Sequence, residues 1–231
     1  MKKLFFFLAS VSSLLFTSCA YDNYDGPDAQ FKGRIVYQGN PIGVRGYNDV
    51  YFQLWEPGWK LKTSIDVPIS PAGTFSATLF SADYKLIIPN GQGPFRTIVN
   101  AETGSDTLLV NLRGSMEMDI EVMPYYIITG NSFAKSATTI DASVSLEKII
   151  TDINAKDIER VVFYLGKTSF TDDGQKLNSV SINGADIVDI NDIDLSLSIP
   201  TVNQQSVFGR VAVKIVGVED MLFGAAQKID L

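Results

Sequence analysis

From Ala29 onward, apolar and polar residues alternate one by one in short runs, and each run ends at a cluster of turn-forming residues. Met116, Met118, Ile120 and Val122 alternate with Glu117, Asp119 and Glu121; Phe75, Ala77 and Leu79 alternate with Ser76 and Thr78. A period of two belongs to a strand with one face in a core and the other in water. Between the runs stand Gly39-Asn40-Pro41, Pro71-Ala72-Gly73, Asn90-Gly91 and Gly104-Ser105, residue types that supply the backbone angles of tight turns. The pattern predicts an all-β chain built as sandwiches. With 1 cysteine in the chain no internal disulfide can form, so packing alone must hold the sheets together.

A break falls at Pro124, where an acidic alternating run ends and Tyr125-Tyr126-Ile127-Ile128 opens a new set of strands. The expected units are residues 29–123 and 124–231. In the second, Ala142-Val144-Leu146, Val161-Phe163-Leu165, Leu195-Leu197-Ile199 and Val211-Val213-Ile215 each keep one phase, which suits an immunoglobulin-like or fibronectin-like sandwich. Leu146, Ile149, Ile150 and Ile153 lie at helical spacing, but Asn154-Ala155-Lys156-Asp157 interrupts the run. Two strands and a connection are expected there.

Residues 1–18 have the layout of a secretory leader: Lys2 and Lys3, an apolar run from Leu4 to Phe16, then small residues up to Cys19. The apolar run falls short of the about 20 residues a membrane helix needs. A cysteine at the cut site marks a lipoprotein leader, with lipid on Cys19 as the anchor; an ordinary secretory leader is the alternative. Residues 19–28 then form the lipidated cysteine and a short acidic tether. The expected location is the outer membrane at the cell surface, with its periplasmic face as the alternative. The full chain carries a net charge of −7, and losing the two leader lysines makes it more negative. That balance argues against nucleic acid or anionic headgroups as partners.

Family likeness enters on particular residues. Gly33-Arg34-Ile35, Gly39-Asn40-Pro41-Ile42, Val50-Tyr51-Phe52-Gln53-Leu54, Gly73-Thr74-Phe75 and Tyr84-Lys85-Leu86-Ile87-Ile88 together resemble the carboxypeptidase regulatory-like domain, a small prealbumin-like sandwich. Further carriers are the tether from Asp22 to Pro27, Glu56-Pro57-Gly58-Trp59, Gly93-Pro94-Phe95 and Pro124-Tyr125. With these, the whole chain resembles a two-domain Bacteroidota lipoprotein family of unknown function. The resemblance implies a neighbour of Sus-like systems, in which surface lipoproteins capture glycans for an outer-membrane transporter.

Catalysis has little to work with. The chain has 0 histidines, so Ser-His-Asp and Cys-His arrangements are impossible, and no cofactor or metal is expected. A glycosidase, needing only two facing carboxylates, is the remote alternative. Gly166-Lys167-Thr168 lacks the first glycine of a phosphate-binding loop. The acids between Asp186 and Asp194 miss the calcium-loop pattern and read as an acidic edge or loop. Sugars stack on aromatic rings while their hydroxyls take hydrogen bonds, so the binding candidates are Trp59, Tyr47 beside Asn48, and Phe95 with Arg96. Two readings stay open: an accessory carbohydrate-binding lipoprotein, and an interaction lipoprotein that docks on a transporter or another surface protein.

Overall fold

The computed structural model describes residues 25–46, 49–58 and 60–231. The leader and Cys19 therefore lie outside the described residues. What is described is almost entirely strand and turn.

The first domain packs two sheets face to face. Its central strand is β1 (Ala29–Tyr37), whose first half pairs with β5 (Thr74–Leu79) and β9 (Met116–Glu117). The second half of β1 pairs with β2 (Asn40–Pro41) and, in parallel, with β10 (Ile120–Pro124). On the far side of β10 lies β7 (Phe95–Thr97). The opposing sheet runs β4 (Ile65–Pro68), β3 (Tyr51–Trp55), β6 (Asp83–Ile87), β8 (Leu108–Asn111). Phe31 of β1, Phe75 of β5 and Phe52 of β3 meet between the sheets with ring centroids 4.9 to 6.4 Å apart. Such ring contacts add about 1 kcal/mol each beyond area burial.

The second domain repeats the plan. One sheet orders β11 (Tyr126–Lys135), β12 (Thr139–Lys148) and β15 (Ile193–Ser198). The other orders β14 (Asn178–Asn183), β13 (Ile158–Gly166), β16 (Ser206–Ile215) and β17 (Leu222–Phe223), with β18 (Gln227–Asp230) also on β16. Phe133 of β11 stacks on Phe163 of β13 across the core at 5.1 Å. The region between β12 and β13 is a connection turned at Asp152, as the sequence predicts; the helical spacing there joins Leu146 of β12 to three isoleucines of that connection.

One departure from the alternating pattern matters. In β13 and β16 both faces are buried: Val162, Tyr164 and Ala212, together with Phe223, form a second apolar cluster on the back of the sheet. What covers that back is the first domain. Arg210 of β16 is 2% exposed. Its Nε donates to Gly224 O at 2.9 Å, and its Nη2 donates to Val44 O at 3.0 Å and Pro71 O at 3.2 Å. The guanidinium lies 4.4 Å from the centre of the Phe223 ring, which in turn stacks on Tyr164. Burial pulls the guanidinium down to about 10, which still leaves it charged at neutral pH. Around it, Phe223 N donates to Gly43 O at 3.0 Å, and Gly93 N donates to Asp220 Oδ2 at 2.7 Å. Gly43 is required where it stands, because a Cβ would land on the Phe223 carbonyl.

Candidate functional site

The domain junction that Arg210 pins also shapes the clefts of the molecule. Beside Arg210 a pocket of about 360 Å³ is lined by Gly46, Pro71, Thr168, Phe170, Asp172 and Gln175. Its wall is the loop after β13. That loop inverts the usual order of burial: Asp172 is 1% exposed and Thr171 is fully buried, while the Phe170 ring is 59% exposed. The inversion has a local cause. Asp172 Oδ1 accepts from Gly174 N at 2.8 Å and Gln175 N at 3.0 Å, a side-chain-closed turn of the kind Asp favours. The Thr171 hydroxyl donates to Thr168 O at 2.6 Å, and Leu177 N returns to Leu165 O. From the first domain, Arg45 reaches over, with Nη2 2.9 Å from Asp173 and Nε 3.5 Å from Asp172. The loop is thus held from both domains, and what it presents is an exposed phenyl ring in a pocket that Gln175 and Thr168 also line.

On another side of the junction a cleft of about 570 Å³ takes in Gln92, Phe95, Arg96, Asp106, Tyr125, Lys156 and Glu219. Most of its polar groups already have partners. Gln92 Oε1 accepts from Tyr51 N, Asp106 accepts the Thr97 hydroxyl, and Lys156 donates to Gly217 O with its ammonium 5.6 Å over the Tyr125 ring. Arg96 is exposed, its backbone registered against Met123 in the sheet, and behind the hydrogen bonds from Asn154 its charge helps hold the Asp152 carboxyl below the usual range. Asp220, half-buried at the same junction, has its carboxyl pushed above the usual range, chiefly by burial, against the opposing pull of the Gly93 N–H.

Of the residues expected to bind, Trp59 and Tyr47 lie outside the described residues, as does Asn48; Gly46, which precedes Tyr47 in the chain, lines the Phe170 pocket. Phe95 requires a correction. It is 6% exposed, its ring turned into the core over Gly93, so it is a plug rather than a platform. The reason is local: Gly93 has φ 77° and no side chain, which leaves room for the ring where any Cβ would collide with it. Arg96 is on the surface but stands apart from Phe170. Among the described residues no group of three or more His, Cys, Asp or Glu is placed to hold a metal ion. In the acidic stretch, Asp186 and Asp189 accept from Asn183 and Asn191 within their own turns.

Two family models cover nearly all of the described fold. Residues 29–123 match the N-terminal domain of DUF3823, a protein family of unknown function, and residues 126–228 match the DUF3823 C-terminal domain. The chain belongs to the DUF3823 family. A DUF3823 family protein from Bacteroides ovatus shares 30% identity over 88% of this chain and 100% of its own, with a TM-score of 0.77. One from Parabacteroides merdae shares 29% over 89% of this chain and 100% of its own, also at 0.77. A third solved structure, from Bacteroides uniformis, is described as a "putative carbohydrate binding protein"; it shares 19% identity over 89% of this chain and 100% of its own, with a TM-score of 0.66. No relative was found among curated proteins. Local patterning in this DUF3823 chain carries no sign of Phe170 or Arg210. Phe170 is turned out by the hydrogen bonds of its own loop, and Arg210 is buried by carbonyls of the other domain.

Proposed function

We propose that this DUF3823 protein is a non-catalytic, membrane-anchored lipoprotein of the cell surface that binds glycans at the domain junction. The observation that carries the reading is Phe170: an exposed ring on a loop held from both sides, over a pocket lined also by the polar residues Gln175 and Thr168. A pyranose can lay its C–H face on such a ring while amide and hydroxyl groups take its hydroxyls. The carboxylate nearest that ring, Asp172, is tied to its own backbone and to Arg45, which disfavours a role in acid-base hydrolysis. The anchor fits the same picture. β1 starts at the end of the first domain opposite the junction, so a tether on Cys19 would hold the pocket away from the bilayer by the length of that strand, about 30 Å at 3.3 Å per residue. The Bacteroides uniformis protein shares this two-domain fold, which agrees with the reading without carrying it.

The test is a neutral and acidic glycan array followed by calorimetric titration of the best hit. Phe170→Ala should weaken binding about tenfold or more, equivalent to about 1.4 kcal/mol, with an unchanged thermal midpoint. A silent array, or equal binding by Phe170→Ala, would end the reading.

A further inference from the structure

The strand registers gather several chain segments at the end of the first domain where β1 begins. Ala29 of β1 pairs with Leu79, the last residue of β5. Trp55, which closes β3, pairs with Lys85 near the start of β6, and Leu54 pairs with Ile65, which opens β4. Asp83, which opens β6, pairs with Asn111, which closes β8. The turns beyond these strands touch one another: Gly114 N donates to the Ser81 hydroxyl at 3.1 Å, and Gln30 N donates to the Ser115 hydroxyl at 3.4 Å. That end carries apolar side chains in water. Leu61 is 76% exposed, Phe80 45% and Ile65 42%. Leu61 stands in a tight turn where Thr63 N donates to Leu61 O at 3.2 Å, with exposed Lys60 and Lys62 on either side. A leucine between two lysines suits the boundary of water and lipid: the apolar side chain enters the acyl edge while the long lysine stems carry their ammonium groups back to headgroup phosphates. Asp25 and Asp28 share this end, so the contact is one of apolar side chains and not of net charge.

What lies opposite this end is set by the chain ahead of it. Cys19 stands ten residues before Ala29. A flexible chain of that length averages about 17 Å end to end and reaches at most about 35 Å. With lipid on Cys19, the exposed apolar groups meet the bilayer at the high effective concentration of a tethered group, which populates a contact too weak to recruit a free protein. We propose that this end of the first domain is a foot seated on the lipid bilayer that holds Cys19, with Leu61 entering the acyl edge and Phe80 and Ile65 resting on it. The proposal rests on the anchored-lipoprotein reading above and is independent of glycan binding.

The test uses the chain's 1 cysteine. The mature chain from Cys19 onward is coupled by its thiol to phosphatidylcholine vesicles bearing a maleimide headgroup, which supplies the anchor whether or not a cell does. A bulky, water-soluble amine-acylating reagent and mass spectrometry then read each lysine. Against the same chain capped with a soluble maleimide, coupling should lower the reactivity of Lys60 and Lys62 about tenfold, the scale of burying one leucine. Lys135 and Lys167, exposed on the second domain, should keep theirs. Leu61→Glu changes a side chain already in water, and it should return Lys60 and Lys62 to the reactivity of the capped chain with the circular dichroism spectrum intact. Lys60 and Lys62 as reactive on vesicles as in solution, protection that spreads equally to Lys135 and Lys167, or protection that survives Leu61→Glu would each overturn the foot and leave the anchored reading standing. Native protein from cells without an acyl mass on Cys19 would end the anchored reading, and the foot with it.

Discussion

Asp220 is the acid that the junction treats least like a solvated one. Half-buried, and with Glu219 and Asp49 adding like charge, it holds its proton to higher pH than an ordinary carboxyl, although Gly93 N–H favours the charged form. In the unfolded chain it titrates at the ordinary value. The folded state therefore binds the proton more tightly, and this residue's contribution to stability grows as pH falls from neutral through its raised folded value toward that ordinary one. Asp220→Asn keeps an acceptor for Gly93 and removes the titration. Denaturant unfolding at a series of pH values should find the variant at least as stable as the parent at pH 7, with its advantage shrinking as pH falls toward 4. An advantage constant in pH would show that the buried charge is not what matters. At this same scale the sequence was least legible. Phe95 in Gly-Pro-Phe is a binding candidate by sequence, yet Gly93 opens a hole that takes it into the core. Arg210 lies out of phase with the apolar Val211-Val213-Ile215, yet it is buried, bonded to Val44 and Pro71, partners 166 and 139 residues away in the chain.

Strands, by contrast, were largely legible, because a period of two needs only local sequence and the core of each sandwich imposes it. In β5 the buried Phe75 and Leu79 and the half-buried Ala77 alternate with exposed neighbours as expected, and so do Ala142, Val144 and Leu146 of β12. The exceptions are β13 and β16, whose second face is hidden by the other domain and so cannot be told from one sandwich alone. Between β2 and β3 the chain runs past the second domain through Gly43, and here an element carries a constraint that no local pattern reveals. Gly43→Ala would drive a methyl into the Phe223 carbonyl and push apart two segments joined by the Phe223 N to Gly43 O bond. Overpacking of this kind costs about 1–3 kcal/mol, and thermal unfolding should register it. Gly26→Ala, with nothing within 4 Å of the added carbon, should be neutral. Equal midpoints for the two variants would mean that the segment yields freely and the junction is looser than its contacts suggest.

The two domains share one continuous set of buried side chains, with Arg210 and its carbonyl partners at their meeting point, so the molecule should behave as a single body although each half has its own core. The Phe170 pocket depends on that docking, since it is lined from both sides. Arg210→Met tests it at the scale of the whole chain. Methionine keeps much of the apolar stem but leaves the Val44, Pro71 and Gly224 carbonyls without their donor, and each buried polar group so orphaned costs about 1–3 kcal/mol. The loss falls on the junction and not on either core, which sets the expected signature apart from ordinary destabilisation. Calorimetry of the parent should give one cooperative transition. In Arg210→Met it should split into two, one for each sandwich, and small-angle scattering should show a larger radius of gyration while the far-ultraviolet circular dichroism keeps its β spectrum. Glycan binding at Phe170 should weaken in parallel, because Pro71 and Gly46 no longer hold their side of the pocket. If the variant instead melts in one step with the parent's radius, the interlock lies elsewhere, in the Gly43–Phe223 and Gly93–Asp220 contacts, and Arg210 only fills space between domains that those bonds already hold.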